Sequence, residues 1–169
     1  MVKRFYAIIF FILSLGIGKA QKLASTDSIK NIKVIAFSDL KEIIKKNDDK
    51  FLVVNFWATW CMPCVMEIPT FMKINEKYKN NVGYKMVLIN LNQVENIEFV
   101  KKFIKKYSIS TEVYLINDLK NIEEWIPSID HSWAGSIPAT AFYKKGIKIL
   151  FKERSLNEKE LDSIINQNL

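Results

Sequence analysis

The stretch that decides the fold runs Phe51-Leu-Val-Val-Asn-Phe-Trp57, then Ala58-Thr59, then Trp60-Cys61-Met62-Pro63-Cys64. Phe51 to Trp57 is too continuously apolar to leave a wet face, which predicts a central strand covered on both sides. Val65 to Tyr78 reads as a helix. Strand, tight turn, two cysteines spaced by two residues, then helix is the context in which this motif means redox exchange. At a helix start, unpaired backbone N–H groups and the helix dipole favour a thiolate on the first sulfur. The chain of 169 residues contains no other cysteine.

Two competing readings weigh little. A structural zinc site needs about four Cys or His ligands, and the sequence offers two Cys and one distant His131. A metal would therefore need a second chain or carboxylates. A purely structural disulfide would close a loop too short to restrict the unfolded chain much. No metal or organic cofactor is expected; the sulfur pair would carry the electrons.

The chain's start reads as a targeting segment. Lys3 and Arg4 precede a mostly apolar run, Phe5–Ile17, and Gly18-Lys19-Ala20 supplies small residues before an expected cleavage ahead of Gln21. The run is short for a membrane span, which takes about 20 residues; an uncleaved N-terminal anchor is the alternative. Neither cysteine is placed to carry a lipid near that point. The expected division is a signal peptide over 1–20, a lead-in over 21–31 and one domain over 32–169. Export would put the cysteine pair where thiols are not kept reduced by default. The expected location is the periplasm or cell envelope.

Charge excludes one class of partner. Without Lys3, Arg4 and Lys19, the formal charge of +7 becomes +4. The remaining basic residues are lysines spread along helical segments, with Arg154 the one arginine after Arg4. Nucleic-acid binding favours clustered arginines among aromatics, so none is expected. Membrane contact is expected only through an uncleaved N-terminus.

The rest of the pattern alternates. Ile32–Phe37 reads as a weak first strand. Ser38 or Asp39 is placed to cap a helix through Lys46. Pro69 removes a hydrogen bond inside the CxxC helix, and a kink is expected there. Tyr84–Asn90 reads as a buried strand, Glu95–Tyr107 as an amphipathic helix, Val113–Ile116 as a strand and Leu119–Ile126 as a short helix. Ala139–Tyr143 and Ile147–Phe151 flank Lys144-Lys145-Gly146 as a hairpin. Asn157 is the expected cap of a last helix through Asn166. The sum is an α/β architecture with a mixed central sheet flanked by helices.

These residues carry a resemblance. Val54-Asn-Phe-Trp-Ala-Thr-Trp-Cys-Met-Pro-Cys-Val-Met-Glu-Ile-Pro69 and Gly135-Ser-Ile-Pro-Ala-Thr140 are similar to the thioredoxin superfamily, and within it to the exported TlpA/ResA-like thiol–disulfide oxidoreductases. The resemblance covers about Ile32 to Leu169. It implies a thioredoxin fold with a helix–strand insertion, here between Glu95 and Ile116. It matches Cys61 to the exposed attacking cysteine and Cys64 to the buried resolving one. Pro138, preceded by Ile137, matches the cis-proline beside the disulfide. Trp60, Met62, Pro63, Ile137 and Pro138 would line the groove for a partner's extended chain. Trp57 reads as core. Trp125 and Trp133 could be rim or core, and His131 reads as a solvated loop residue.

One departure stands out. Plain thioredoxins carry a buried aspartate where this chain has Asn55, and an amide cannot relay a proton. Glu67, three residues after Cys64, is the expected base for that thiol. The expected activity is reduction of disulfides in exported proteins, with an upstream thiol donor. A peptide-binding module with an idle disulfide is one alternative. A thiol peroxidase is another, although no arginine lies near Cys61 in the sequence.

Overall fold

Seven consecutive residues, Phe51–Trp57, are all buried, because the strand they form lies in the middle of a sheet with helices on both faces. The computed structural model describes residues 32–169; the expected targeting and lead-in segments, 1–20 and 21–31, lie outside them. The element order is β1 (Lys33–Ile35), α1 (Phe37–Lys46), β2 (Phe51–Trp57), α2 (Met62–Tyr78), β3 (Tyr84–Asn90), α3 (Ile97–Lys106), β4 (Glu112–Ile116), α4 (Ile122–Ile129), β5 (Ala139–Lys144), β6 (Ile147–Lys152) and α5 (Glu158–Asn166). Short 3-10 turns precede α3 and α4.

The six strands form one sheet in the order β1-β4-β3-β2-β5-β6. β2 runs parallel to β3 and antiparallel to β5. The segment read as an insertion delivers α3 and β4, and β4 occupies the position between β1 and β3. Period-two alternation divides the sheet's side chains between two cores. Val53, Trp57, Phe71, Leu88 and Phe142 belong to the core on one face. Leu52, Val54, Phe56, Ile89 and Trp125 belong to the other.

Several boundaries differ from expectation. α1 begins at Phe37, with Ala36 as its N-cap residue. Asp39 sits at the third helical position and its carboxylate accepts the Ala36 N–H at 2.9 Å. Phe37 belongs to the helix because its ring stacks on Trp125 at 5.4 Å, which a strand reading from alternation alone does not reveal. α4 runs on to Ile129 and contains Pro127. Asn157 does cap α5, its side chain accepting from the Glu160 N–H at 2.9 Å. The hairpin turns through Lys145 and Gly146, at φ 53 and 71, a left-handed pair that favours glycine at the second place.

Candidate functional site

β2 ends at Trp57 and α2 opens at Met62, so the five-residue span from Trp57 to Cys61 turns the chain at the C-terminal end of that central strand. Asn92 fixes that turn. Its Oδ1 accepts the Thr59 N–H at 3.0 Å, and its Nδ2 donates to Thr59 Oγ1 at 2.7 Å. The Leu91 N–H adds a bond to the Trp57 carbonyl at 2.9 Å. Nothing local in the sequence marks Asn92, which lies 33 residues from Thr59.

Cys61 is the N-cap residue of α2 and is joined to Cys64 by a disulfide. The Cys64 N–H points at Cys61 Sγ across 3.3 Å. In the reduced protein that N–H and the positive end of the helix would both stabilise a thiolate on Cys61. The carbonyl of Ile137 approaches the same sulfur at 3.5 Å; the oxidised sulfur carries no proton, so this is contact and becomes a hydrogen bond only with the thiol. Cys61 is not the exposed residue expected, keeping 6% of its surface because the turn and the Ile137 carbonyl cover it. Cys64 keeps none, so the order of accessibility still favours Cys61.

Around the disulfide the expected groove residues divide. Trp60 and Met62 are each 67% exposed, and Pro63 is exposed beside them. Ile137 is half-buried and Pro138 buried, with the peptide between them cis. Trp57, Trp125 and Trp133 are buried, so the latter two belong to the core rather than to a rim. His131 lies exposed in its loop.

The loop ahead of Pro138 is held by Glu153, a residue the sequence reading did not single out. Its carboxylate accepts the Ala134 and Ser136 N–H groups at 3.0 and 2.8 Å. The Trp133 indole donates to the Ser136 carbonyl at 2.9 Å. Gly135, at φ 91, supplies the left-handed residue between them.

One turn along α2 from Cys64, Glu67 enters a buried polar cluster. Asn55 Nδ2 donates to Glu67 Oε1 at 2.9 Å and to Thr140 Oγ1 at 3.1 Å. The Leu156 N–H donates to the second Glu67 oxygen at 3.1 Å. Burial raises the Glu67 carboxyl to about 7, while the bonds from Asn55 and Leu156 act to lower it. Thr140 and Leu156 come from distant segments, and no spacing in the sequence announces them. Among the described residues no group of His, Cys, Asp and Glu is placed to hold a metal ion, and no helix is long and apolar enough to cross a membrane.

Comparison with known proteins gives a consistent neighbourhood. The Thioredoxin family model matches residues 31–125. The thiol-disulfide oxidoreductase ResA of Bacillus cereus is 29% identical over 118 residues, 64% of this chain and 66% of that one. The chain thus spans slightly under two thirds of that relative's length. The sporulation thiol-disulfide oxidoreductase A of Bacillus subtilis is 26% identical over 121 residues, 68% of this chain and 72% of that one. Among solved structures, a thiol:disulfide interchange protein of the thioredoxin family from Chlorobium tepidum superposes with a TM-score of 0.61 at 25% identity, covering 73% of this chain and 82% of that one.

Proposed function

The chain belongs to the thioredoxin family and carries the redox pair of its thiol–disulfide oxidoreductases, Cys61–Cys64; from that premise we propose that it reduces disulfides in exported proteins. The observation that carries the reading is Cys61 Sγ at the N-cap of α2, facing the Cys64 N–H on one side and the Ile137 carbonyl beside cis-Pro138 on the other. An extended partner would lie against Ile137 and Pro138, with Trp60, Met62 and Pro63 on the opposite bank.

In the reduced enzyme, Cys61 thiolate attacks one sulfur of the partner's disulfide. That bond breaks, a mixed disulfide forms through Cys61, and the partner's other sulfur leaves as a thiolate. Cys64 then gives its proton to Glu67 and attacks Cys61 Sγ. The Cys61–Cys64 bond forms and the second partner sulfur is released. The partner gains two electrons and, from solvent and Glu67, two protons. An upstream thiol donor must re-reduce the pair.

Ile137 ahead of the proline supports the reducing direction, since it resembles the reducing members of the family. The positive, apolar start of the sequence supports an exported location, as a released protein or one held by its N-terminus. The test is the reduction potential of the pair, by equilibrium titration with the alkylated thiols read by mass. A value near about −270 mV, as in thioredoxin, is expected; one near about −120 mV, as in DsbA, would make the protein an oxidant and overturn the direction.

A further inference from the structure

Strand pairing divides the surface into two poles. β1 to β4 run parallel through their shared neighbours, so their first residues lie at one end and Trp57, with the cysteine turn after it, at the other. β5 runs back from Ala139 beside Phe56 to Lys144 beside Phe51, which brings the β5–β6 turn to the first end. α1, α2, α3 and α5 each start at the cysteine end and finish at the opposite one.

Charge follows that axis. The far pole collects Lys45 and Lys46 from the last turn of α1, Lys105 and Lys106 from α3, and Lys144 and Lys145 from the hairpin. The helices' first turns carry Asp39, Glu98, Glu123, Glu124, Glu158 and Glu160, of which Glu98, Glu158 and Glu160 are paired with Lys101, Lys73 and Arg154. Helix dipoles account for lysines at helix ends, but Lys144 and Lys145 lie on no helix. Acidic neighbours toward the far pole are largely engaged: Asp49 with Lys50, Glu76 with Lys79, Glu112 with Lys85, Asp130 with Lys148 and Asp162 with Lys77; Asp48 is in none of these pairs. Two large apolar side chains also stand open there, Val82 at 90% exposure and Ile147 at 69%.

We propose that this pole docks on an anionic phospholipid surface, holding the Cys61–Cys64 end away from the lipid and toward incoming partners. Lysines around protruding apolar side chains form the combination that binds negatively charged headgroups and inserts at the interface. The path of the chain agrees. The 31 residues before Ile32, with the apolar run Phe5–Ile17 among them, join β1 at this same pole. Contact with lipid then does not depend on keeping that run. The proposal rests on the exported location inferred above.

The test uses the chain from Gln21 to Leu169, which contains all six strands and both cores. It is sedimented with vesicles of equal phosphatidylglycerol and phosphatidylcholine, and with phosphatidylcholine alone. Binding to the first, falling at least about tenfold between low and physiological-plus salt, is expected. Replacing Lys45, Lys46, Lys105, Lys106 and Lys145 by Gln should weaken it at least about 100-fold. Replacing Lys73, Lys101, Lys120, Lys152 and Lys159 by Gln removes the same charge elsewhere and should change it by less than about threefold. Alkylation of reduced Cys61 should proceed equally fast on and off the vesicles. No preference for phosphatidylglycerol, equal weakening in both variants, or strong protection of Cys61 on vesicles would each overturn the proposal. Insulin reduction in solution, measured alongside, reports on the disulfide-exchange reading separately: its loss would sink that reading and leave the vesicle result standing.

Discussion

Asn55 and Glu67 meet in the closed space between β2 and α2, the amide donating to the carboxylate across 2.9 Å. Both residues are buried. The hydrogen bonds favour the charged acid and burial opposes it; burial wins, and the carboxyl titrates at about 7. A single buried acid thus changes charge in the range where thiols exchange.

That carboxyl leaves a mark on stability. Its folded value, about 7, lies above the ordinary 4.5, so between those values the native state holds a proton that the unfolded chain has released. The stability it confers is complete below pH 4.5 and is lost as pH rises through 7. The oxidised protein should therefore weaken by about 3 kcal/mol from this group between pH 4 and pH 8. Urea unfolding across that range measures it, and Glu67→Gln should flatten the slope. An equal slope in the variant would assign the pH dependence to other groups.

Kinetics should show the same group. If Glu67 takes the Cys64 proton, release of a trapped partner should accelerate as pH rises through about 7. Glu67→Gln should erase that step and slow release roughly 100-fold at pH 8. Stopped-flow resolution of a preformed mixed disulfide gives the profile; an unchanged profile would make Glu67 a structural residue.

Where the sequence was legible, local pattern and local chemistry agreed. Phe51–Trp57 and Tyr84–Asn90 are found with the expected bounds because each strand is buried along nearly its whole length, with Asn55 in the first and Lys85 in the second the polar residues inside the apolar run. Asn157 was legible as a cap because its partner, the Glu160 N–H, is three residues on. The start of α1 was not, since Phe37 is drawn into the helix by Trp125 from a remote segment. The cluster around Glu67 was half-legible. Asn55 and Glu67 stand 12 residues apart on consecutive elements, but Thr140 lies 85 residues from Asn55 and Leu156 89 from Glu67. Glu153 was invisible for a related reason: it serves two backbone N–H groups, and those leave no trace in side-chain spacing.

Two tryptophans three residues apart should respond in opposite ways. Trp57 is wholly buried, its ring 5.2 Å from Phe103, whereas Trp60 projects into solvent beside the disulfide. Trp57→Ala should cost about 3–5 kcal/mol by leaving a cavity. Trp60→Ala should change unfolding by less than about 0.5 kcal/mol while slowing reduction of a protein disulfide several-fold. Paired thermal melts and exchange rates decide it; an unaffected exchange rate in the Trp60 variant would remove that side chain from the partner groove.

The division of labour between the cysteines can be trapped directly. Cys61 retains a little exposure at the helix N-cap, and Cys64, one turn in, retains none. In the reduced protein Cys61 should alkylate at least about tenfold faster than Cys64, because it is the more accessible thiol and the one whose thiolate is stabilised. Cys64→Ser should then attack a partner disulfide and stop there, accumulating a mixed disulfide through Cys61 that survives until an external thiol is added. Cys61→Ser should form almost none, since its remaining thiol is shielded by the turn that Asn92 braces. Intact mass of each variant after mixing with a disulfide-bonded protein reads the adduct. A stable adduct on Cys64 in the Cys61 variant, formed at a comparable rate, would reverse the assignment.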